Sequence, residues 1–502
     1  MPSASGLTAE EQRTGKACSH NPDRHSIIST LPVELLSEIF RWYVAVACFH
    51  YPSSQYWPPL ILTRVCSSWR DIVMGLPRLW TQVVIPCAHQ CQTPHEDCLQ
   101  RCNDWLQRSF PHPVAVDLPY SYMSCMESRL ASDVLAKHAS RITRLELNLH
   151  GYQVRSEKSM IALFALPPGT FPVLTHLTLI VIFDIFRTGR VVSAFGQSPL
   201  RTLRLKYEPQ TAEDNISPEE IFQITWEGLE ELCMDPWPAY RPHGYSANTS
   251  SFVTEYLRDI RTFCLTIPFM RSPHAGPPTV VPSRTAFPHM RNLQITTDNT
   301  RNLSLGAATT DHALFQVFDL PALENLTLLH TYYRHRGREG RGPPTVSSGL
   351  FDDVDFRQTS LGRLRSLCLL DLGRILDQKL LNVLEATPML EELELWNSME
   401  LRLPFYERMA SPNALVPRLR ALWIHCADGE TEDDLEVMTR GIEVLLRGRW
   451  GERDRGADEA PVLDDVRATR GRPYAPAPRK LEQAWVNAME ALRPAGAELY
   501  LT

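Results

Sequence analysis

The 502-residue chain has no long apolar run. Its longest, Leu177 to Phe186, is about half of what a membrane-spanning helix needs and is broken by Asp184, so no membrane partner is expected. Residues 1–26 are polar, without the apolar centre of a secretory signal. A cytoplasmic and/or nuclear location is therefore expected, with the twelve cysteines as free thiols and the sequons at Asn248, Asn302 and Asn325 unused. Cationic excess is missing too: a formal net charge of −7 leaves no electrostatic footprint for a nucleic acid. Catalytic signatures are absent, with no Gly-x-Ser-x-Gly elbow, no phosphate-cradling Walker loop and no His-Glu-x-x-His. Carboxylate pairs such as Asp352/Asp353 and Glu391/Glu392 read as solvated turns and strand edges. The expectation is a protein that is not an enzyme and needs no cofactor.

Tight metal-binding pairs are also lacking. Cys87, Cys91, Cys98 and Cys102, with His89 and His95 nearby, fall within sixteen residues, but their spacing is x3, x6, x3 rather than that of a zinc site. Cys98, Cys102, Trp105 and Leu106 instead fall at i, i+4, i+7 and i+8, the stripe of an amphipathic helix. The apolar reading is favoured, and no metal is assigned.

What is present begins at Leu31. Pro32 and Glu34 suit a first helical turn. Leu35, Leu36, Ile39, Phe40 and Tyr43 then recur at helical spacing. The Pro-rich stretch Tyr51 to Pro59 stops the helix. Periodicity returns with Leu62, Val65, Cys66, Trp69, Ile72 and Val73, closed by Gly75 and Pro77 and plugged by Leu79 and Trp80.

Leu31-Pro32, Glu34-Leu35-Leu36, Ile39-Phe40, Val65-Cys66, Trp69-Arg70 and Leu79-Trp80, in that order, resemble an F-box of the type numerous in mushroom-forming fungi. The resemblance covers about a tenth of the chain and departs from a compact F-box in the longer segment between Ala45 and Leu62. It implies docking on the Skp-type adaptor of a cullin–RING ubiquitin ligase. By the same resemblance Leu31, Pro32, Leu35, Leu36, Ile39, Val65 and Trp69 would serve that interface or its support. The plainer alternative is the helical cap of a repeat protein.

Beyond residue 136 one pattern returns, apolar-x-x-apolar-x-apolar. Ten copies run from Ile142/Leu145/Leu147 through Leu203/Leu205, Phe263/Leu265 and Leu326/Leu328 to Leu419/Leu422/Ile424, about 31 residues apart on average. The alternation is that of a strand, and no copy can bury its apolar face alone; stacked copies can, as one parallel sheet. The pattern resembles an irregular leucine-rich repeat. It lacks that family's Asn or Cys three residues after the last apolar position, where His150, Ile182, Glu208 and Trp237 stand. An ordinary α/β domain with Leu-rich strands is the competing interpretation.

The expected architecture is α/β: a small N-terminal helical F-box-like unit, then an irregular leucine-rich-repeat-like solenoid with a parallel sheet. Its boundaries are a disordered tail at 1–26, the F-box-like domain at 27–85, a helical linker at 86–135, the repeats at 136–426, and at 427–502 a cap helix, a flexible loop at 448–480 and a final helix, Leu481 to Leu492. Pro-rich 268–286 and basic, Gly-rich 334–360 read as inserted loops. Residues between the apolar positions should face outward. The last of them, Glu392, Glu394, Trp396, Trp423 and His425, are the candidate surface for an unknown target protein, exposed aromatics being rich in interface energy. The alternative places the two Trp beneath the cap helix. Together these features imply the substrate receptor of a ubiquitin ligase, held to cullin through the adaptor, with a non-catalytic interaction scaffold as the other reading.

Overall fold

A computed structural model describes residues 31–47, 58–84, 95–118, 129–149, 162–182, 192–208, 222–235, 240–241, 244–245, 257–268, 285–298, 318–331, 361–370, 377–396, 401–411, 415–426, 432–451, 463, 465–470 and 498–501. The expectations for the N-terminal tail, Cys87, His89, Cys91, most of 268–286, the insertion at 334–360 and the final helix lie outside these residues, as do most of the extra residues between Ala45 and Leu62.

The fold is α/β. Its body is a fourteen-stranded sheet whose strand order is the chain order. The strands are β1 Gln82–Val84, β2 Val114–Leu118, β3 Ile142–Leu149, β4 His176–Ile182, β5 Thr202–Glu208, β6 Glu231–Asp235, β7 Thr262–Pro268, β8 Asn292–Asp298, β9 Asn325–Thr331, β10 Ser366–Leu370, β11 Glu392–Trp396, β12 Ala421–Cys426, β13 Asp465–Arg470 and β14 Glu498–Leu501. Every neighbouring pair is parallel.

Register explains why the repeats stack. Leu145, Leu177, Leu203, Leu232, Phe263, Leu293, Leu326, Leu367, Leu393 and Leu422 face one another across successive strands. All three apolar positions of all ten copies are buried. The burial alternates along each strand, as in Glu231–Asp235 and Glu392–Trp396, so one face of the sheet makes the core.

Most of the central strands are preceded by a tight turn. The backbone N–H of the first apolar residue bonds the carbonyl three residues earlier, as Leu174 does with Phe171, Leu229 with Trp226, Met290 with Phe287 and Leu364 with Leu361. That earlier residue is usually buried and apolar, so the true pattern is one position longer than the strand motif. After the turn, paired N–H groups share one carbonyl of the previous copy: Glu230 and Glu231 both donate to Arg201 O, at 2.8 and 2.9 Å. The side chains at this step form a charged rim. Glu230 lies between Arg201 and Arg261 at 3.6 and 3.5 Å, and Arg365 meets Glu391 at 3.8 Å. Such exposed pairs add little stability.

Two boundaries differ from those read from sequence. The supposed helical linker at 86–135 contains helices but also β2, whose Val114 and Val116 are buried. The supposed loop at 448–480 contains β13, which pairs with β12 from Asp465 to Arg470. Both strands sit near the ends of the sheet, and β13 carries a buried leucine, Leu463, three residues before Val466 as the central copies do.

The N-terminal module holds α1 Val33–Ala47, α2 Pro58–Leu62 and α3 Ser67–Met74. The prolines at 58 and 59 start α2 instead of ending the interruption, since a first turn needs no N–H from them. The apolar run expected as one helix from Leu62 to Val73 is broken by a turn, and α3 restarts after Cys66, whose Sγ accepts the Trp69 N–H at 3.5 Å. Gly75 caps α3. Trp80 is buried, donates Nε1–H to Val73 O at 3.0 Å and meets Trp105 with ring centroids 6.2 Å apart. Trp105, Cys102 and Leu106 are the buried stripe of α4, His95–Arg108. The Trp80–Trp105 contact, with β1 directly behind Trp80, welds the module to the sheet.

Next to it, α5 spans Arg129–His138. Arg141 donates to Ser109 Oγ and His112 O at 3.1 and 3.0 Å and to Leu106 O, tying the end of α4 to the start of β3. Burial first, then Arg141, holds the neighbouring His138 imidazole down at about 4, so it stays neutral.

Toward the C-terminal end, α6 spans Asp377–Glu385, α7 Leu403–Ala410 and α8 Glu432–Gly451. The expected cap-helix stripe is buried at Ile442, Leu445 and Leu446. Helix α8 meets α7 through two glycines one heptad apart. A Cβ on Gly441 would stand 2.2 Å from the buried Tyr406 ring, and one on Gly448 would stand 2.6 Å from Ala410 Cβ. Arg449 then donates to Met409 O and Val416 O at 3.0 and 2.9 Å, closing the end of α7.

Two predictions follow from this packing. Gly441→Ala should lower the urea midpoint, because overpacking of ~1–3 kcal/mol exceeds the roughly 1 kcal/mol gained in helix propensity; an unchanged midpoint would mean that α7 and α8 do not pack through this glycine. Asp117, half-buried and in register with Glu146, has its pKa raised to about 6, by burial first and then by Glu146. The protonated form is favoured in the folded chain, so stability is lost as pH rises from 3.8 through about 6. Asp117→Asn should therefore raise the melting temperature at pH 8, with the gain vanishing near pH 4.

Candidate functional site

Helix α1 carries two apolar stripes. Leu36, Phe40 and Val44 are buried at i, i+4 and i+8 and make the module core, where Phe40 meets Trp69 with centroids 4.7 Å apart. Leu35, Ile39, Trp42 and Val46 form the other stripe and stay exposed, Trp42 by 70% and Leu35 by 52%. Water is a poor solvent for such a row. Among the described residues eleven large apolar side chains are exposed, and seven of them lie between Val33 and Met74. The exposure is therefore concentrated on the smallest unit of the chain.

The sequence-based candidates divide accordingly. Leu35, Ile39 and Val65 are exposed, as is Pro32, whose carbonyl receives the Leu36 N–H at 3.1 Å. Leu36 belongs to the core, and Leu31 and Trp69 are half-buried against it. Trp42, Val46 and Met74 are exposed residues of this unit that sequence reading missed. Trp42 and Val46 were detectable at i+7 and i+11 from Leu35, a second stripe on a helix too apolar to have only one buried face.

The second candidate cluster lies on the outward face of β10 to β12. Register places Glu392 opposite Ala421, Glu394 opposite Trp423 and Trp396 opposite His425. Glu394 is the hub: it accepts the Trp396 indole N–H at 2.6 Å and the Cys368 thiol at 3.1 Å, and it lies 3.5 Å from His425 Nε2. The Trp396 and His425 rings stack with centroids 3.8 Å apart. Burial first, then the bond to Glu394, pushes the Cys368 thiol well above its usual pKa and keeps it protonated. Trp396 remains exposed by 36%, while Trp423 is half-buried. The structure thus brings together Glu394, Trp396, Trp423 and His425, adds Cys368, and leaves Glu392 exposed one step along.

A carboxylate whose acceptor sites meet an indole, a thiol and an imidazole holds a flat aromatic surface in place. Among the described residues no three His, Cys, Asp or Glu side chains are grouped to hold a metal ion, and no helix is long and apolar enough to cross a membrane. The rim also walls an open groove, lined by Arg201, Arg261, Arg291, Arg363 and Glu230, that no motif announced.

Glu394→Ala should free the indole. With fluorotryptophan incorporated, the Trp396 resonance, assigned through Trp396→Phe, is expected to shift and broaden; an unmoved signal would show that the carboxylate does not orient the ring.

No known family model matches the chain, and a search of curated proteins finds no match.

Proposed function

We propose that the chain is a substrate-receptor subunit of a cullin–RING ubiquitin ligase, which docks on the Skp-type adaptor through the N-terminal helices and holds a target protein on the outward face of the sheet. The observation that carries this reading is the exposed row Leu35, Ile39, Trp42 and Val46 on a helix whose opposite face is already packed. A row of that kind fits a hydrophobic groove on a partner. On this reading the N-terminal unit is an F-box and the stacked parallel strands are an irregular leucine-rich-repeat-like solenoid. In-register stacking in chain order and a step of about 31 residues support the second assignment.

The mechanism is proximity. The receptor supplies no reacting group; it raises the effective concentration of target lysines beside the ubiquitin-charged enzyme. The Trp80–Trp105 weld matters for this, because it couples the position of the docking helix to that of the sheet. The target surface is assigned to Glu392, Glu394, Trp396, Trp423 and His425.

The test is co-purification with a Skp-type adaptor, comparing wild type with Leu35→Asp/Ile39→Asp. Both positions are exposed, so circular dichroism and melting should be unchanged. Burying charge in an apolar interface costs several kcal/mol, and each ~1.4 kcal/mol is tenfold in affinity, so the complex should be lost. Failure of well-folded wild type to bind would remove the ligase reading and leave an interaction scaffold.

A further inference from the structure

The middle outward row of the sheet contains two adjacent cysteines. Cys233 on β6 and Cys264 on β7 are direct partners in the register. Both are free thiols and half-buried. Arg204 is the register partner of Cys233 on the other side. Its guanidinium is fixed by two bonds to Glu231 Oε1, at 2.9 and 2.6 Å. The same carboxylate oxygen lies 3.7 Å from the Cys233 sulfur.

We propose that Cys233 and Cys264 form a two-thiolate site for a soft, two-coordinate cation of the monovalent copper type. Three observations select that class. Thiolate ligands favour soft ions. Zinc needs four ligands, and the described surroundings offer only Glu231 as a further donor, already engaged by Arg204. Both sulfurs are free thiols, so they are open to a ligand and not already spent on each other. A bridging ion would join the two in-register strands through them. Binding releases both thiol protons and leaves a bis-thiolate complex of net charge −1, which the Arg204 guanidinium stands close enough to offset.

The site is tested on reduced full-length protein titrated anaerobically with monovalent copper against a competing chelator. Wild type should take up one tight equivalent. Cys233→Ser and Cys264→Ser should each weaken it by at least about 100-fold, because one thiolate replaces two. Cys368→Ser, a single thiol on the same row, should leave it unchanged. Melting curves of the serine variants guard against a folding artefact. A second measurement uses phenylarsine oxide, which condenses with two thiols and releases water; peptide mapping should place one adduct across Cys233 and Cys264. Equal copper uptake by wild type and both serine variants, or an adduct found only elsewhere, would overturn the assignment.

Discussion

Everything in this fold depends on one constraint: parallel strands stacked in chain order must keep their apolar residues in register. Side chains alternate with a period of two, so a slip of one residue would turn every Leu of a strand from the core to solvent. The line from Val83 through Val116, Leu145 and Leu177 to Leu422 and Val466 runs across the sheet without such a slip. The one irregularity, between Val114 and Ala115, lies near the end and is absorbed before Val116 meets Leu145. Backbone groups obey the same order. In the turn before each strand from β5 to β12, two N–H groups share one carbonyl of the copy before it, so these copies are pinned at their start as well as along their length. Connections of very different length are tolerated between pinned strands because loop-closure entropy grows only slowly with length.

The same constraint explains what could be read in advance. The ten central strands were legible because each is packed between two others and buried on one face, which forces alternation into the sequence. The ends carry weaker marks. Strand β1 is Gln82-Val83-Val84, too short to show a period, and β13, although Leu463 leads it three residues before Val466, has only Ala468 at its last apolar position and charged residues at Asp465, Arg467 and Arg470. Helix α1 was legible as a helix but not in its two faces, since Leu35 and Leu36 look alike in sequence and only packing sends one outward and the other to the core. The charged rim was hidden for a different reason. Arg201, Glu230, Arg261, Arg291 and Glu324 lie one per copy, and their partnership exists only across the stack.

Local preference and tertiary contact disagree most clearly in α8. Gly441 and Gly448 cost helix stability in isolation. They are retained in a twenty-residue helix because only a residue without Cβ lets the Tyr406 ring and Ala410 approach the α8 backbone. Arg449 then uses the closeness of the two helices to reach carbonyls at the end of α7 and beyond it. Gly441 falls within the cap helix expected from sequence and Gly448 at the start of the expected loop, and the two together form the seam of a packed helix pair.

The two faces of the sheet consequently have different freedom to change. The inward face is fixed by register, and nearly any polar substitution there leaves an unpaired group in the core. The outward middle row, flanked by buried positions and for the most part half-buried, accepts very different residues from strand to strand: Asp117, Glu146, Thr178, Arg204, Cys233, Cys264, Gln294, Thr327, Cys368, Glu394 and Trp423 succeed one another along it. Half-burial is what gives these groups their altered chemistry. It raises the Asp117 carboxyl and keeps Cys368 protonated against Glu394. A row that is rigid in backbone, variable in side chain and partly dehydrated meets the requirements of a recognition surface, because partner groups meet fixed dipoles there instead of mobile water. In these respects the outward row differs from the rim, where charges are exposed, mutually paired and weakly held.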